Sequence, residues 1–208
     1  MKSTEKHWNT IFSKTEDSAL GWYEKDLTKT FSLLNKIDQW GSASIFISGA
    51  GTSTLIDELL VQKNTKLILN DISTKALNKV KERLAANNKN IYWLNQDISQ
   101  PIYNTLPSID IWIDRAVLHF ILDENGINGY FNNLKSKLAI NGYAIFAEFS
   151  IDGAKQCAGL KIQQYSVELL SKRLGSSFQL VTHFNHIYTN PNGDEKPYIY
   201  ALYKRVSV

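Results

Sequence analysis

Residues 42–60 read SASIFISGAGTSTLIDELL: a short apolar run, two glycines one residue apart, then an amphipathic stretch. This order confines the chain to a strand, a tight turn and a helix. Glycine is the residue that lets backbone turn sharply and come close to a ligand. The helix over residues 52–62 is expected to be capped by Thr52 or Ser53. The texture then repeats. KLILND (66–71) is a continuous apolar run ending in an acid, as a strand buried on both faces reads. STKALNKVKERLAANN (73–88) has helical periodicity, with Ser73 placed as its N-cap. IYWLNQD (91–97), IDIWIDRA (109–116) and GYAIFAEFS (142–150) supply three more strands. Helices are expected within LDENGINGYFNNLKSKLA (122–139) and over YSVELLSKRLG (165–175). Strands alternating with helices imply a parallel sheet with right-handed crossovers.

The two ends depart from this rhythm. FQLVTHFNHIYT (178–189) and PYIYALYKR (197–205) flank NPNGDEK, a hairpin loop that turns the last strand antiparallel. At the other end, Trp8, Ile11 and Phe12 share one helical face, as do Leu27, Phe31, Leu34 and Ile37. Between them Gly21 breaks the helix beside the aromatic pair Trp22–Tyr23. The expected organisation is a single domain over 1–208, with a helical cap at 1–41 and an α/β core at 42–208.

Composition narrows the function classes. With 43% hydrophobic and 21% charged residues the chain is neither disordered nor a membrane protein in character. No apolar run approaches the roughly 20 residues that span a bilayer. The first 20 residues lack the apolar core of a signal peptide, so a cytoplasmic location is expected. The net charge of +3 comes from scattered lysines and arginines, and KALNKVKERL has the spacing of a solvated helix face rather than a nucleic-acid stripe. Cys157 is the only cysteine, which excludes an internal disulfide and a cysteine-only metal cluster. His183 and His186 are three apart on a strand and point to opposite faces, so no metal is expected.

GAGTST (49–54) departs from the dinucleotide fingerprint G-x-G-x-x-G, because Thr54 stands at the third glycine position. Two acids add to the pattern. Asp71 ends the second strand, where a carboxylate can accept both hydroxyls of a ribose lying over the first strand, although it can also serve the helix that starts near Ser73. Asp97 ends the third, where it suits the exocyclic amine of adenine with Ile98 covering the ring. Three successive strand ends thus carry glycine, acid and acid, at the edge where open α/β sheets bind ligands.

The series SGAGTS, NDIS, NQDIS, IDIWIDRAVLHF, NGYAIFAEFS and the final hairpin resembles the class I S-adenosylmethionine-dependent methyltransferases over nearly the whole chain. SALGWYE and IDRAVLHF loosely resemble the branch containing elongation-factor lysine methyltransferases and their bacterial relatives. The resemblance implies an α/β fold: a Rossmann-like, doubly wound, seven-stranded sheet with an antiparallel last strand and an N-terminal helical extension. It implies S-adenosylmethionine as cofactor, with Gly49, Ala50 and Gly51 at its methionine portion and Asp71 on the ribose. Ile72, Asp97 and Ile98 would meet the adenine. Asp114, Arg115 and Ala116 would line the methionine end and the substrate mouth. Many relatives carry an acid two residues before the first glycine to bind the cofactor's amino group; this chain has Ile47. Backbone carbonyls near Gly49 or the Asp114 side chain are the replacements considered.

Methyl transfer from a sulfonium needs a nucleophile held in line and kept deprotonated rather than a catalytic triad. Asp114, His119 and Arg115 are the expected catalytic residues. His119 has the titration range of a base, though a hydrogen-bonded histidine in the wall of the sheet is the plainer reading. Arg115 would either pair with Asp114 or hold an acidic substrate. Trp8, Trp22 and Tyr23 could fold over the cofactor as a lid; core packing explains Trp8 equally well, and Trp22 with Tyr23 is the better candidate. The acceptor is a protein lysine or a small molecule. Two alternatives are a nicotinamide-dependent oxidoreductase, against which Thr54 and the hairpin count, and a non-catalytic binding protein of the same fold.

Overall fold

The computed structural model describes residues 2–62, 65–85, 89–103 and 105–207. Five parallel strands form the centre: β1 (Ser44–Ser48), β2 (Lys66–Asp71), β3 (Ile91–Asn95), β4 (Ile109–Arg115) and β5 (Leu138–Phe149). Two short strands, β6 (Gln156–Cys157) and β7 (Leu160–Lys161), make a separate ribbon turned by Ala158 and Gly159, both at positive φ. The chain ends in the hairpin β8 (Phe178–Thr189) and β9 (Glu195–Arg205). The seven-stranded sheet has the order β3-β2-β1-β4-β5-β9-β8, with β9 antiparallel to both neighbours. The sheet expected from the alternating pattern and the terminal hairpin is the one observed.

Side-chain alternation divides the sheet into two cores. Ile45, Ile47, Leu67, Leu69, Ile111 and Ile113 face one way, against α2 (Thr28–Leu34), α3 (Leu55–Leu60) and α4 (Thr74–Leu84). Phe46, Ile68, Trp112, Ala144 and Phe146 face the other way, against α5 (Glu124–Lys137) and α6 (Val167–Leu174). Helices on both faces explain why β1 reads as an unbroken apolar run: all five of its residues are buried.

The helix starts follow the local chemistry. Ser73 accepts the Ala76 N–H, Asp123 that of Gly126 and Ser166 that of Leu169, each as an N-cap. α3 is shorter than its periodicity predicts, starting at Leu55 with Thr54 as N-cap and no side-chain cap bond. The N-cap position is thus neither Thr52 nor Ser53, but the Ser53 hydroxyl still accepts the Leu55 N–H at 3.2 Å. The helix expected to reach residue 88 is seen to Leu84, and residues 86–88 lie outside the described ones.

The helical extension is divided in its allegiance. The α2 residues Leu33 and Leu34 are fully buried in the same core as β1. α1 (Lys2–Lys14) lies against α4, where Asn9 Oδ1 accepts from the Ser73 hydroxyl at 2.7 Å and from the Lys75 N–H at 3.1 Å. Lys79 Nζ lies 2.9 Å from Asp17, and Phe12, Leu20 and Ala76 form a small core of their own. None of the described helices is long and apolar enough to cross a membrane.

Candidate active site

The strand order reverses between β1 and β4, and a cavity of about 220 Å³ lies at the carboxyl ends of the strands there. Gly49, at φ 55°, forms its floor; a Cβ built on it would lie 2.1 Å from Val117 Cγ2. No side chain fits at that position, so the backbone itself is presented to whatever binds. The Ala50 N–H donates to the Asn70 carbonyl at 2.7 Å, and the Gly51 N–H to Asp71 Oδ2 at 2.7 Å. Asp71 Oδ1 accepts the Ser73 N–H at 2.7 Å. Asp71 therefore fastens the glycine loop to the start of α4 while each oxygen keeps a second lone pair. Burial pushes its carboxyl up to about 6, against the pull of those two backbone donors.

Asp97 sits on the turn after β3. Its Oδ1 accepts the Ser99 N–H at 2.9 Å and the Ser99 hydroxyl at 2.7 Å. Gly129 of α5 allows this turn to settle: a Cβ there would meet the Ser99 carbonyl oxygen at 2.0 Å. Ile72, Asp97 and Ile98 line the cavity with Gly49, Gly51 and Asp71, so six of the residues expected at a nucleoside cofactor are brought together. Ala50 is fully buried just behind them and lines a second, smaller cavity on the other side of the loop.

The end of β4 behaves differently from expectation. Asp114 has the parity of Phe46 and Trp112 and faces α5, where it is completely buried. Its Oδ1 accepts the Val117 N–H at 3.1 Å and the Leu118 N–H at 3.4 Å, which closes the turn after β4. His119 and Glu148 are also completely buried, with His119 Nδ1 2.6 Å from Glu148 Oε2. Burial raises Glu148 to about 7, lowers His119 to about 3, and together with the Glu148 charge raises Asp114 well above the carboxylate range. None of the three lines the cavity. The expected contact of Asp114 with the cofactor, its expected catalytic role and the base role of His119 find no support in this placement. A base must reach the proton it removes, and these groups face the core.

Arg115 has the opposite parity and lines both cavities. It does not pair with Asp114. Its Nε lies 2.8 Å from Glu24 Oε2, its Nη1 donates to the Trp22 carbonyl at 2.8 Å, and its guanidinium lies over the rings of Tyr188 and Tyr198. Burial works against its charge, yet the Glu24 carboxylate prevails and raises its pKa. Arg115 Nε and Nη2 are both buried without a hydrogen bond among the described residues, the Nε contact with Glu24 being an ion pair. Ala116 follows at φ 67°, a left-handed conformation uncommon for a residue with a Cβ, and lines the cavity.

The roof comes from the extension. Trp22 lines the cavity as expected, but its partner there is Trp8 at 5.5 Å between centroids, whereas Tyr23 lines the smaller cavity. Trp8 also packs edge-on to Phe120 at 4.8 Å, and Phe12 completes the group. Phe12 and Phe120 line the larger cavity and Glu24 the smaller without having been singled out from the sequence, whereas Trp8 was a candidate for the cover. The i, i+4 pairing with Trp8 was a signal for Phe12; nothing local marked Glu24.

The geometry fits a nucleoside bearing an amino-acid tail: a loop bare of side chains at Gly49 and Gly51, carboxylates at two strand ends, aromatic cover and a buried, partly unpartnered guanidinium. A sequence model of the family described as Nodulation protein S (NodS) matches residues 18–174. None of the curated protein sequences matches the chain. Among solved structures, an S-adenosylmethionine-dependent methyltransferase from Anabaena variabilis aligns with a TM-score of 0.76 and 15% identity, over 98% of this chain and 94% of that one. N-methyltransferase NodS from Bradyrhizobium japonicum, in complex with S-adenosyl-L-homocysteine, gives 0.73 and 14%, over 98% and 99%. A Burkholderia thailandensis 1,6-didemethyltoxoflavin-N1-methyltransferase gives 0.66 and 13%, over 99% and 85%. These bear out the fold and the resemblance read from the motifs, and the match over most of its length places this chain in the NodS family.

Proposed function

We propose that this chain transfers the methyl group of S-adenosylmethionine to a nitrogen of a small molecule. One observation carries the reading: a single cavity runs from Gly49, Gly51, Asp71 and Asp97 to the aromatic wall of Trp8, Trp22 and Phe120. In this reading Asp71 takes the ribose hydroxyls, Ile72, Asp97 and Ile98 hold the adenine, and the glycine loop runs along the methionine portion. The cofactor supplies the electrophilic methyl and its own leaving group.

The acceptor class follows from what lines the wall. Its ionisable side chains are Asp71, Asp97 and Asp123, which already hold backbone N–H groups, and the cation Arg115. A lysine amine, mostly protonated at neutral pH, would have to give its proton to carboxylates already engaged with backbone N–H groups. An aromatic or heterocyclic nitrogen arrives neutral, and its flat ring suits edge-on aromatic walls. The Bradyrhizobium protein is named as an N-methyltransferase and the Burkholderia protein as an N1-methyltransferase, which supports a nitrogen acceptor.

Calorimetric titration with S-adenosylhomocysteine and with NAD tests the cofactor: stabilisation by the former is expected, and by NAD alone would overturn the reading. Incubation of the enzyme with radiolabelled cofactor and a cell lysate tests the acceptor. Label is expected in the small-molecule fraction, and label confined to protein would restore the lysine reading.

A further inference from the structure

Ile47 removes a carboxylate from beside the glycine loop, and the fold brings one back from elsewhere. The smaller cavity beside the loop is lined by Ile47, Gly49, Gly51, Glu24 and Arg115. It shares Trp22, Gly49, Gly51 and Arg115 with the larger cavity, so the two meet at the loop. Ile47 is 4% exposed and part of the core, with no polar atom to offer. Glu24 reaches the same space from the loop between α1 and α2.

Resting on the reading above, we propose that the Glu24–Arg115 pair is the receptor for the amino-acid end of the cofactor, Glu24 taking the ammonium and Arg115 the carboxylate. A zwitterion laid against an ion pair gives four alternating charges with no net charge buried, which is what a low-dielectric site requires. Both protein groups are preset. Glu24 Oε1 accepts the Tyr200 hydroxyl at 3.1 Å, and Thr54 Oγ1 donates to the Glu24 carbonyl at 3.0 Å. Arg115 is held by its ion pair with Glu24, by the Trp22 carbonyl and by two tyrosine rings, and its buried Nε and Nη2 make no hydrogen bond among the described residues. Burial raises the Glu24 carboxyl above its usual range, and an adjacent ammonium would hold it ionised. Thr54, at the third glycine position of the dinucleotide pattern, gains a use here: its hydroxyl anchors the segment that carries Glu24.

The test compares ligands that differ only at this end, by calorimetry on the wild-type chain and on Glu24→Gln. S-adenosylhomocysteine carries both charges, 5′-(3-carboxypropylthio)-5′-deoxyadenosine lacks the ammonium, and 5′-methylthioadenosine lacks the whole tail. Glu24→Gln should weaken S-adenosylhomocysteine by roughly tenfold, as loss of a charge-assisted contact does, and leave the other two within about twofold. Equal weakening of all three would show a merely structural role and overturn the proposal, as would no weakening of any. If the wild-type chain binds methylthioadenosine but gains nothing from the tail, the receptor is wrong while the nucleoside site stands. If it binds none of the three, the cofactor reading falls as well.

Discussion

Asp71 and Asp114 are both acids at the end of an apolar strand in the same parallel sheet, and they have opposite fates. Asp71, 6% exposed, turns to the cavity and fastens the glycine loop. Asp114, 0% exposed, turns under the sheet and joins Glu148 and His119 in a sealed cluster. An acid at a strand end is therefore not by itself a site. Parity decides, since a shift of one residue moves a side chain to the other face. Arg115, one residue on from Asp114, is in the site for the same reason.

The comparison can be broken at several points. The largest effect is expected on the open side: Gly49→Ala drives a Cβ into Val117 at a positive φ, costing about 2 kcal/mol or more. Urea unfolding and S-adenosylhomocysteine titration should both register it. Asp71→Asn leaves the carbonyl oxygen but removes the charge, and should weaken S-adenosylhomocysteine by about tenfold or more. If affinity survives, the ribose does not lie there. On the sealed side, His119→Gln should cost about 1–3 kcal/mol of stability, with the pH dependence of kcat/KM unchanged. A lost limb in that profile would move the cluster into the chemistry.

A pH series sharpens the same contrast. A ligand that needs the ionised Asp71 competes with its proton, so affinity should hold above pH 7 and fall as pH drops through about 6. Affinity that is flat from pH 7.5 to 5 would deny Asp71 a direct contact. The smallest effect belongs to Ala116, at the seam between the two sides. Relief of its φ of 67° offsets the greater freedom of glycine in the unfolded chain, so Ala116→Gly should stay within about 1 kcal/mol of wild type in thermal unfolding.

These outcomes bear on how the sequence can be read. The alternation of apolar runs with helical periods made the sheet legible, and the glycine pair with Asp71 and Asp97 marked the ligand edge, because both signals are local. The parity of Asp114 was harder. β4 is apolar on both faces, so Ile111 and Trp112 gave no sign of which side faced the ligand. Trp8, Phe12 and Glu24 reach the site only because the extension folds back over the sheet. Glu24 meets Arg115 through tertiary structure alone, and no spacing rule joins them. Ile47 was legible as a missing charge, but not the place from which the charge returns.

Asn9 of α1 holds the Ser73 hydroxyl and the Lys75 N–H, and the Ser73 N–H in turn holds Asp71. Two hydrogen bonds, through Ser73, thus link the roof helix to the residue proposed to grip the ribose. Whatever steadies Asp71 steadies α1 by the same free energy, and the relation is reciprocal. Bound S-adenosylhomocysteine is therefore expected to slow protease cleavage near Lys14, and cleavage at an unchanged rate would show that α1 and Asp71 are not coupled.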